Sequence, residues 1–136
     1  MIKQPTHLYT LVAGLFLLLQ GTSTLAFRLF PALDQAFPTL LSITRMIPAH
    51  SILHILTGIL ALVVLFCGGE RGPFWFAAGF GAFYIGLAFF GMITKHPTVL
   101  GLQPFDHPFH LLLGGLGLLA VGLNLYRTHH PENASL

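Results

Sequence analysis

The feature that most constrains this chain is a set of four apolar stretches that contain no Asp, Glu, Lys or Arg. They occupy residues 4–27, 46–69, 72–94 and 107–126. Each stretch can supply the roughly 20 residues that a helix needs to cross the hydrocarbon core of a bilayer. The apolar residues run continuously and do not alternate with polar ones, which favours helices over the strands of a membrane barrel. The sequence therefore predicts an all-α membrane protein with four transmembrane helices.

The composition also indicates a chain that lies in lipid. Charged residues make up 7% of its 136 residues and the mean hydropathy is +0.79, whereas a soluble domain carries about 25% charged residues. The six basic residues are dispersed and form no run that could follow a nucleic-acid backbone, so nucleic acid is not an expected partner. Cys67 is the only cysteine, which excludes an internal disulfide and a cysteine-based metal site.

Turn residues and polar segments divide this single transmembrane domain, residues 1–136, into its parts. The Gly- and Pro-containing run after Cys67 predicts a tight turn. Between the first two spans, apolar residues recur at helical spacing between Leu29 and Leu41, which predicts an interfacial helix, with a bent loop as the alternative. The expected boundaries are spans at about 8–27, 49–67, 74–94 and 107–126, an interfacial segment at 28–48 and a polar tail at 127–136.

The second and fourth spans match each other at a constant offset of 56 residues. His54 and Gly58 correspond to His110 and Gly114, and three leucines match as well. Each copy contains two crossings, so both copies enter the membrane in the same direction. The sequence therefore predicts a parallel repeat of two helix hairpins.

The first and third spans show a weaker match at an offset of 65 residues. It pairs Ala13, Gly14 and Gly21 with Ala78, Gly79 and Gly86. Small residues allow the backbones of membrane helices to approach closely. The predicted helix-packing positions are Ala78, Ala82, Gly86, Gly58 and Gly114.

Two runs of the sequence carry a family resemblance. They are HSILHILTGIL, beginning at His50, and DHPFHLLLGGLG, beginning at Asp106. With the third span around Tyr84, they resemble a family of small bacterial four-helix membrane proteins of unknown function with twin His-x-Leu-x-Gly-x-Leu segments. The resemblance covers most of the chain and departs at Pro108 and in the long first loop. It implies a bacterial membrane bundle and supplies no activity.

The histidines near the starts of the second and fourth spans form the candidate site. His50 and His54 are four residues apart and share a helical face, and Asp106 and His110 occupy the matching positions. In the plainest interpretation these four residues form a structural polar cluster whose members hydrogen-bond to one another, cap helix starts or join the hairpins. Alternatively, His50, His54, His107 and His110 ligate a metal, or His54 and His110 bind haem or chlorophyll. A proton relay is the third hypothesis.

The expected function is not catalytic, because no nucleophile motif or paired carboxylates accompany the histidines. With little mass outside lipid, the chain is suited to be a small accessory or structural subunit of a larger respiratory or photosynthetic membrane complex, without a cofactor by default. The expected location is the bacterial inner membrane, or a thylakoid membrane if the complex is photosynthetic. Basic residues are balanced between the two sides, so they do not orient the chain; the polar tail favours cytoplasmic termini.

Overall fold

Four long helices form the fold. The computed structural model describes residues 4–38, 46–94 and 100–130. The helices are α1 (Pro5–Leu29), the short α2 (Pro31–Ala36), α3 (Pro48–Cys67), α4 (Gly72–Thr94) and α5 (Asp106–His129). All except α2 are long and apolar enough to cross a membrane. The predicted all-α membrane protein with four transmembrane helices is confirmed.

Proline and glycine mark where these helices begin and turn. Pro5, Pro31 and Pro48 each occupy the first position of a helix, and Pro73 the second position of α4. Proline suits the first turn because its missing N–H would have no partner there. Between α3 and α4 the chain turns at Gly69, whose φ of 63° lies in the left-handed region that glycine adopts without a steric penalty. The predicted tight turn is located here.

The segment between α1 and α3 contains α2. Phe30, Leu33 and Phe37 around it are exposed, as expected for a segment that rests on a membrane surface. The remainder of the predicted interfacial segment, residues 39–45 with Leu41, lies outside the described residues. At the other end of the chain, α5 continues to His129 and so takes in the first residues of the predicted tail.

Each hairpin is held by a close approach of two glycines. A β-carbon added to Gly58 of α3 would lie 2.8 Å from the carbonyl oxygen of Gly14 in α1. In the second hairpin, a β-carbon on Gly114 of α5 would lie 2.7 Å from the carbonyl oxygen of Gly81 in α4. In lipid, helices associate through such van der Waals contacts rather than through the hydrophobic effect. Two of the predicted packing positions, Gly58 and Gly114, therefore lie where the helices meet.

The other predicted packing positions require a correction. Ala82 and Gly86 of α4 are exposed, and Ala78 is only partly buried. The buried stripe of α4 contains Ala77, Gly81 and Ala88 instead. The predicted stripe is therefore rotated towards the outside of the bundle. Small residues occur on both faces of α4, so their spacing alone does not identify the face that contacts a neighbour.

The repeat between α1 and α4 has an offset of 67 residues, not the predicted 65. The contacts with α3 and α5 set this register, because Gly14 and Gly81 occupy equivalent positions in the two hairpins. Seven of the eight buried positions of α1 then coincide with the seven of α4: Thr6, Thr10, Ala13, Gly14, Leu17, Gly21 and Thr24 correspond to Pro73, Ala77, Phe80, Gly81, Tyr84, Ala88 and Gly91. The eighth, Tyr9, corresponds to the partly buried Phe76.

Polar contacts between α1 and α5 join the two hairpins. The Tyr9 hydroxyl of α1 donates a hydrogen bond to the carbonyl oxygen of Leu113 in α5 at 2.9 Å. Gly117 provides space for this ring, because a β-carbon there would lie 2.9 Å from the Tyr9 hydroxyl oxygen. Thr6 donates to the side-chain oxygen of Asn124 at 3.4 Å. The start of α1 and the end of α5 therefore lie at the same end of the bundle.

The two environments of glycine predict opposite effects of the same substitution. We expect Gly58→Ala to lower the free energy of unfolding by about 1–3 kcal/mol, because the new methyl group overlaps the α1 backbone. Gly86→Ala is the matched control, since nothing lies within 4 Å of a β-carbon there, and it should raise stability by up to about 1 kcal/mol through helix propensity. Unfolding in mixed micelles, followed by circular dichroism, measures both. Equal effects would contradict the assigned helix contact.

Candidate metal centre

Three histidines from two helices meet inside the bundle. His50 lies in the first turn of α3, His54 one turn later, and His110 in the second turn of α5. Each side chain is 1% exposed. One ring nitrogen from each residue can be chosen so that all three lie within 4.8 Å of one another. We call His50, His54 and His110 the histidine cluster.

The position of the cluster along the bundle follows from the helix starts. His54 lies six residues after Pro48, which places it about 9 Å along the axis of α3. His110 lies at the corresponding depth of the second hairpin, since the offset of 56 also pairs Gly58 with Gly114 at equivalent contacts. The cluster therefore lies inside the spanning segments, towards the end of the bundle opposite both described termini.

Four of the six ring nitrogens of the cluster lack hydrogen-bond partners. Among the described residues, seven buried side-chain nitrogen and oxygen atoms have no partner, and four of them are His50 Nδ1, His110 Nδ1 and both ring nitrogens of His54. A neutral imidazole carries one N–H donor and one acceptor nitrogen. Each unsatisfied buried group costs about 1–3 kcal/mol. The cluster thus concentrates several unsatisfied polar atoms in a membrane-spanning part of the bundle.

The rings contact one another and one aromatic neighbour. The His50 and His54 rings meet edge to face with centroids 4.6 Å apart, and the His50 and His110 centroids are 6.0 Å apart. Tyr84 of α4 packs edge-on to His110 at 4.7 Å and lies 6.5 Å from His54. Tyr84 is 3% exposed. Its ring therefore closes the α4 side of the cluster.

The loops before α3 and α5 meet at the end of the bundle nearest the cluster. Met46 and Leu102 are buried, and the Arg28 guanidinium donates a hydrogen bond to the Met46 carbonyl oxygen at 2.8 Å. Gly101 lies against Ile47 and adopts a φ of 59°. These contacts cover the end of the bundle with apolar side chains.

Asp106, the repeat equivalent of His50, lies at a helix start, which is one of the roles expected for members of the polar cluster. One of its carboxylate oxygens accepts a hydrogen bond from the Gln103 backbone N–H at 2.7 Å, and the Asp106 N–H donates to the Gln103 carbonyl oxygen at 2.9 Å. The carboxylate therefore stabilises the turn that begins α5. Four ring nitrogens of His50, His54 and His110 have no partner among the described residues. At these atoms, the hydrogen bonds expected within the polar cluster are absent.

His107, the fourth histidine of the predicted metal set, lies apart from the other three. Its ring packs against Gly91 of α4, where a β-carbon would overlap it. The equivalent pair in the first hairpin is Ser51 with Thr24, whose hydroxyl oxygens are 2.9 Å apart. In the second hairpin, the small Gly91 thus lies against the large His107. In the first hairpin, the medium-sized Thr24 and Ser51 occupy the equivalent space.

Sequence reasoning missed Tyr84 as part of the site. The signal that identifies it is the offset of 67, which pairs Tyr84 with Leu17, a fully buried residue on the inner face of α1. The offset of 65 instead pairs Tyr84 with Leu19, which is 68% exposed. The correct register was therefore necessary to recognise Tyr84 as an inward-facing residue.

The fold and the cluster together define a class: a small four-helix membrane protein built from two repeated hairpins, with three histidines buried between them. No protein-family model, curated protein or solved structure matches the chain.

The pairs Gly91–His107 and Thr24–Ser51 predict that two destabilising substitutions in the second hairpin will compensate each other. Gly91→Thr alone should lower the free energy of unfolding by about 1–3 kcal/mol, because its β-carbon overlaps the His107 ring. His107→Ser alone should also destabilise, because it leaves a cavity. The double variant reproduces the Thr24–Ser51 pair, so we expect a favourable coupling energy of about 0.5–3 kcal/mol in a double-mutant cycle. Additive effects would show that the two positions do not share space.

Proposed function

We propose that this protein is a non-catalytic membrane protein that holds a metal ion at the histidine cluster. The observation that carries the proposal is the convergence of three buried imidazoles, four of whose six ring nitrogens have no hydrogen-bond partner among the described residues. Metals bind neutral imidazole nitrogen at about 2.0–2.1 Å, which places tetrahedral ligand atoms about 3.3 Å apart. Nitrogens already within 4.8 Å of one another can reach this spacing through small side-chain rotations. Coordination would engage one nitrogen of each ring.

The geometry favours an ion over haem or chlorophyll. A macrocycle ligated by His54 and His110 needs a flat slot between these rings, but a His50 nitrogen lies within 4.8 Å of both and Tyr84 packs against both. A pigment on the outer surface needs an exposed ligand, whereas the cluster residues are 1% exposed. A small ion requires neither a slot nor an exposed ring.

The remaining interpretations of the cluster have less support. A structural polar cluster should pair its nitrogens with one another, and four of them are unpaired among the described residues. A proton relay needs a continuous chain of exchangeable groups towards the other end of the bundle. Ala13, Leu17 and Phe80 of the core offer none, and the Tyr9 and Thr10 hydroxyls donate to backbone carbonyl oxygens, which cannot pass a proton on. Metal binding therefore has more support than either a structural polar cluster or a proton relay.

A role as an accessory subunit of a larger membrane complex is a second candidate, which is compatible with the first. It is supported by Gly79, Ala82 and Gly86, which lie on the outer face of α4. A β-carbon on either glycine would have no neighbour within 4 Å, so this face is open to another helix. Respiratory and photosynthetic complexes of a bacterial inner membrane or a thylakoid membrane would offer such helices, in line with the family resemblance.

Metal content tests the first proposal directly. We expect protein purified from native membranes without a polyhistidine tag to contain about one metal ion per chain, since three converging ligands define one site. His54→Ala and His110→Ala should abolish this content in elemental analysis. His107→Ala is the matched control and should retain the ion, because it removes an imidazole from the same end of α5 without touching the cluster. An absorbance spectrum of the same sample tests for haem and pigment.

Two outcomes would overturn the metal proposal. One is a metal-free protein whose circular dichroism shows the full helical content. The other is a metal content that survives both His54→Ala and His110→Ala, which would place the ion elsewhere.

Native extraction tests the accessory role. In mild detergent we expect the chain to comigrate with a much larger assembly, and Gly86→Leu to release it by adding bulk to the outer face of α4. Leu60→Phe adds bulk to an exposed position of α3 and should leave the assembly intact. Native gel electrophoresis with immunodetection measures the migration. A chain that migrates alone in all three forms would refute this role.

A further inference from the structure

The ligand atoms of the histidine cluster carry no negative charge. All three come from imidazoles, which ligate metals in their neutral form. The only cysteine, Cys67, is exposed and lies at the opposite end of α3, so it supplies no thiolate. The Asp106 carboxylate is held by the Gln103 N–H rather than among the ligand atoms. An ion in this site therefore keeps its full charge within its first coordination sphere.

This charge must be held in a low-dielectric region. The solvation cost of burying an ion rises with the square of its charge, so a divalent ion costs about four times as much as a monovalent ion of equal size. Asp106 begins α5 one turn before His110, and its carboxylate can compensate one positive charge from outside the ligand set. Asp106 and a monovalent ion together are neutral, whereas Asp106 and a divalent ion retain a net positive charge.

The number of ligands points to the same kind of ion. Structural zinc sites are almost always tetrahedral with four protein ligands, and three-ligand zinc sites bind water at the fourth position. Among the described residues, the Tyr84 ring of α4 packs against His110, and Met46 and Leu102 are buried in the loops that precede α3 and α5. Copper(I) is a monovalent ion that can be three-coordinate without bound water, and imidazole is among the ligands that suit copper.

From this combination of charge, ligand number and enclosure, we infer that the histidine cluster is a three-coordinate copper(I) site formed by His50, His54 and His110. The inference rests on the proposed metal-binding function and specifies its ion. The asymmetry of the repeat has a role here: the first hairpin contributes His50 as a neutral ligand, and the second contributes Asp106 at the equivalent position as a nearby countercharge.

Competition between ions tests the inference on the full chain in detergent. The exposed pair His129 and His130 can bind ions adventitiously, so all variants carry His129→Ala and His130→Ala. Copper(I), kept reduced with ascorbate, is partitioned between the protein and the chromophoric chelator bicinchoninate. We expect the protein to withdraw one equivalent, a molar excess of Zn²⁺ not to displace it, and His54→Ala to weaken binding by more than about 100-fold. His107→Ala should bind as the parent does.

A substitution at His50 tests whether the charge of the ligand set determines which ion is bound. It gives the first hairpin the residue that the second has at the equivalent position. His50→Asp gives both hairpins an Asp-His pair and adds a negative ligand, so the preference should shift from copper(I) towards Zn²⁺. If this variant does not fold, X-ray absorption of the copper-loaded parent provides the second measurement. Three nitrogen neighbours without a fourth ligand are then expected.

The outcomes distinguish this inference from the function on which it rests. A parent protein that binds Zn²⁺ through the cluster in preference to copper(I), or copper with four ligands, would overturn the cuprous assignment and leave the metal function standing. A folded protein that binds neither ion would overturn both. Copper(I) that remains bound in His54→Ala would show adventitious binding only and would also refute the assignment.

Discussion

The close contact of two glycines within each hairpin is the constraint on which the rest of the structure depends. Gly58 meets Gly14 in the first hairpin and Gly114 meets Gly81 in the second, at distances that leave no space for a β-carbon. In lipid this approach supplies the van der Waals contact that the hydrophobic effect does not provide between helices. It also sets the helix register. Because His54 lies one turn before Gly58, and His110 one turn before Gly114, both imidazoles face inward.

The two hairpins share a backbone arrangement and differ at the positions that build the site. Symmetry places one histidine from each hairpin in the centre of the bundle. The third histidine, His50, and the aromatic Tyr84 correspond to residues of a different type in the other hairpin. The repeated scaffold therefore carries an asymmetric site. The substitutions that break the symmetry, first hairpin to second, are His50 to Asp106, Leu17 to Tyr84, Ser51 to His107 and Thr24 to Gly91.

The histidine cluster stands out energetically because its surroundings are apolar. Tyr84 packs on it from α4, and the adjacent core contains Leu17 and Phe80. Elsewhere in the bundle, buried hydroxyls have partners: Thr24 pairs with Ser51, and the Tyr9 hydroxyl donates to a backbone oxygen. Of the seven unpartnered buried side-chain atoms among the described residues, four belong to this cluster and three to His7, Gln20 and His107. The concentration of unpartnered nitrogens on three histidines that converge is the physical basis for assigning a ligand there.

The sequence by itself determined the four spanning helices and the offset of 56, because the length of charge-free runs and the paired His and Gly positions are properties of the chain alone. It also brought His50, His54 and His110 to one end of the bundle, since parallel hairpins begin their second helices on the same side. Only the tertiary structure decided the register of α1 against α4, the inward position of Tyr84 and the separation of His107 from the cluster. Small residues are common on every face of a membrane helix, and which of them are buried depends on the backbone contacts between helices rather than on their spacing along the chain.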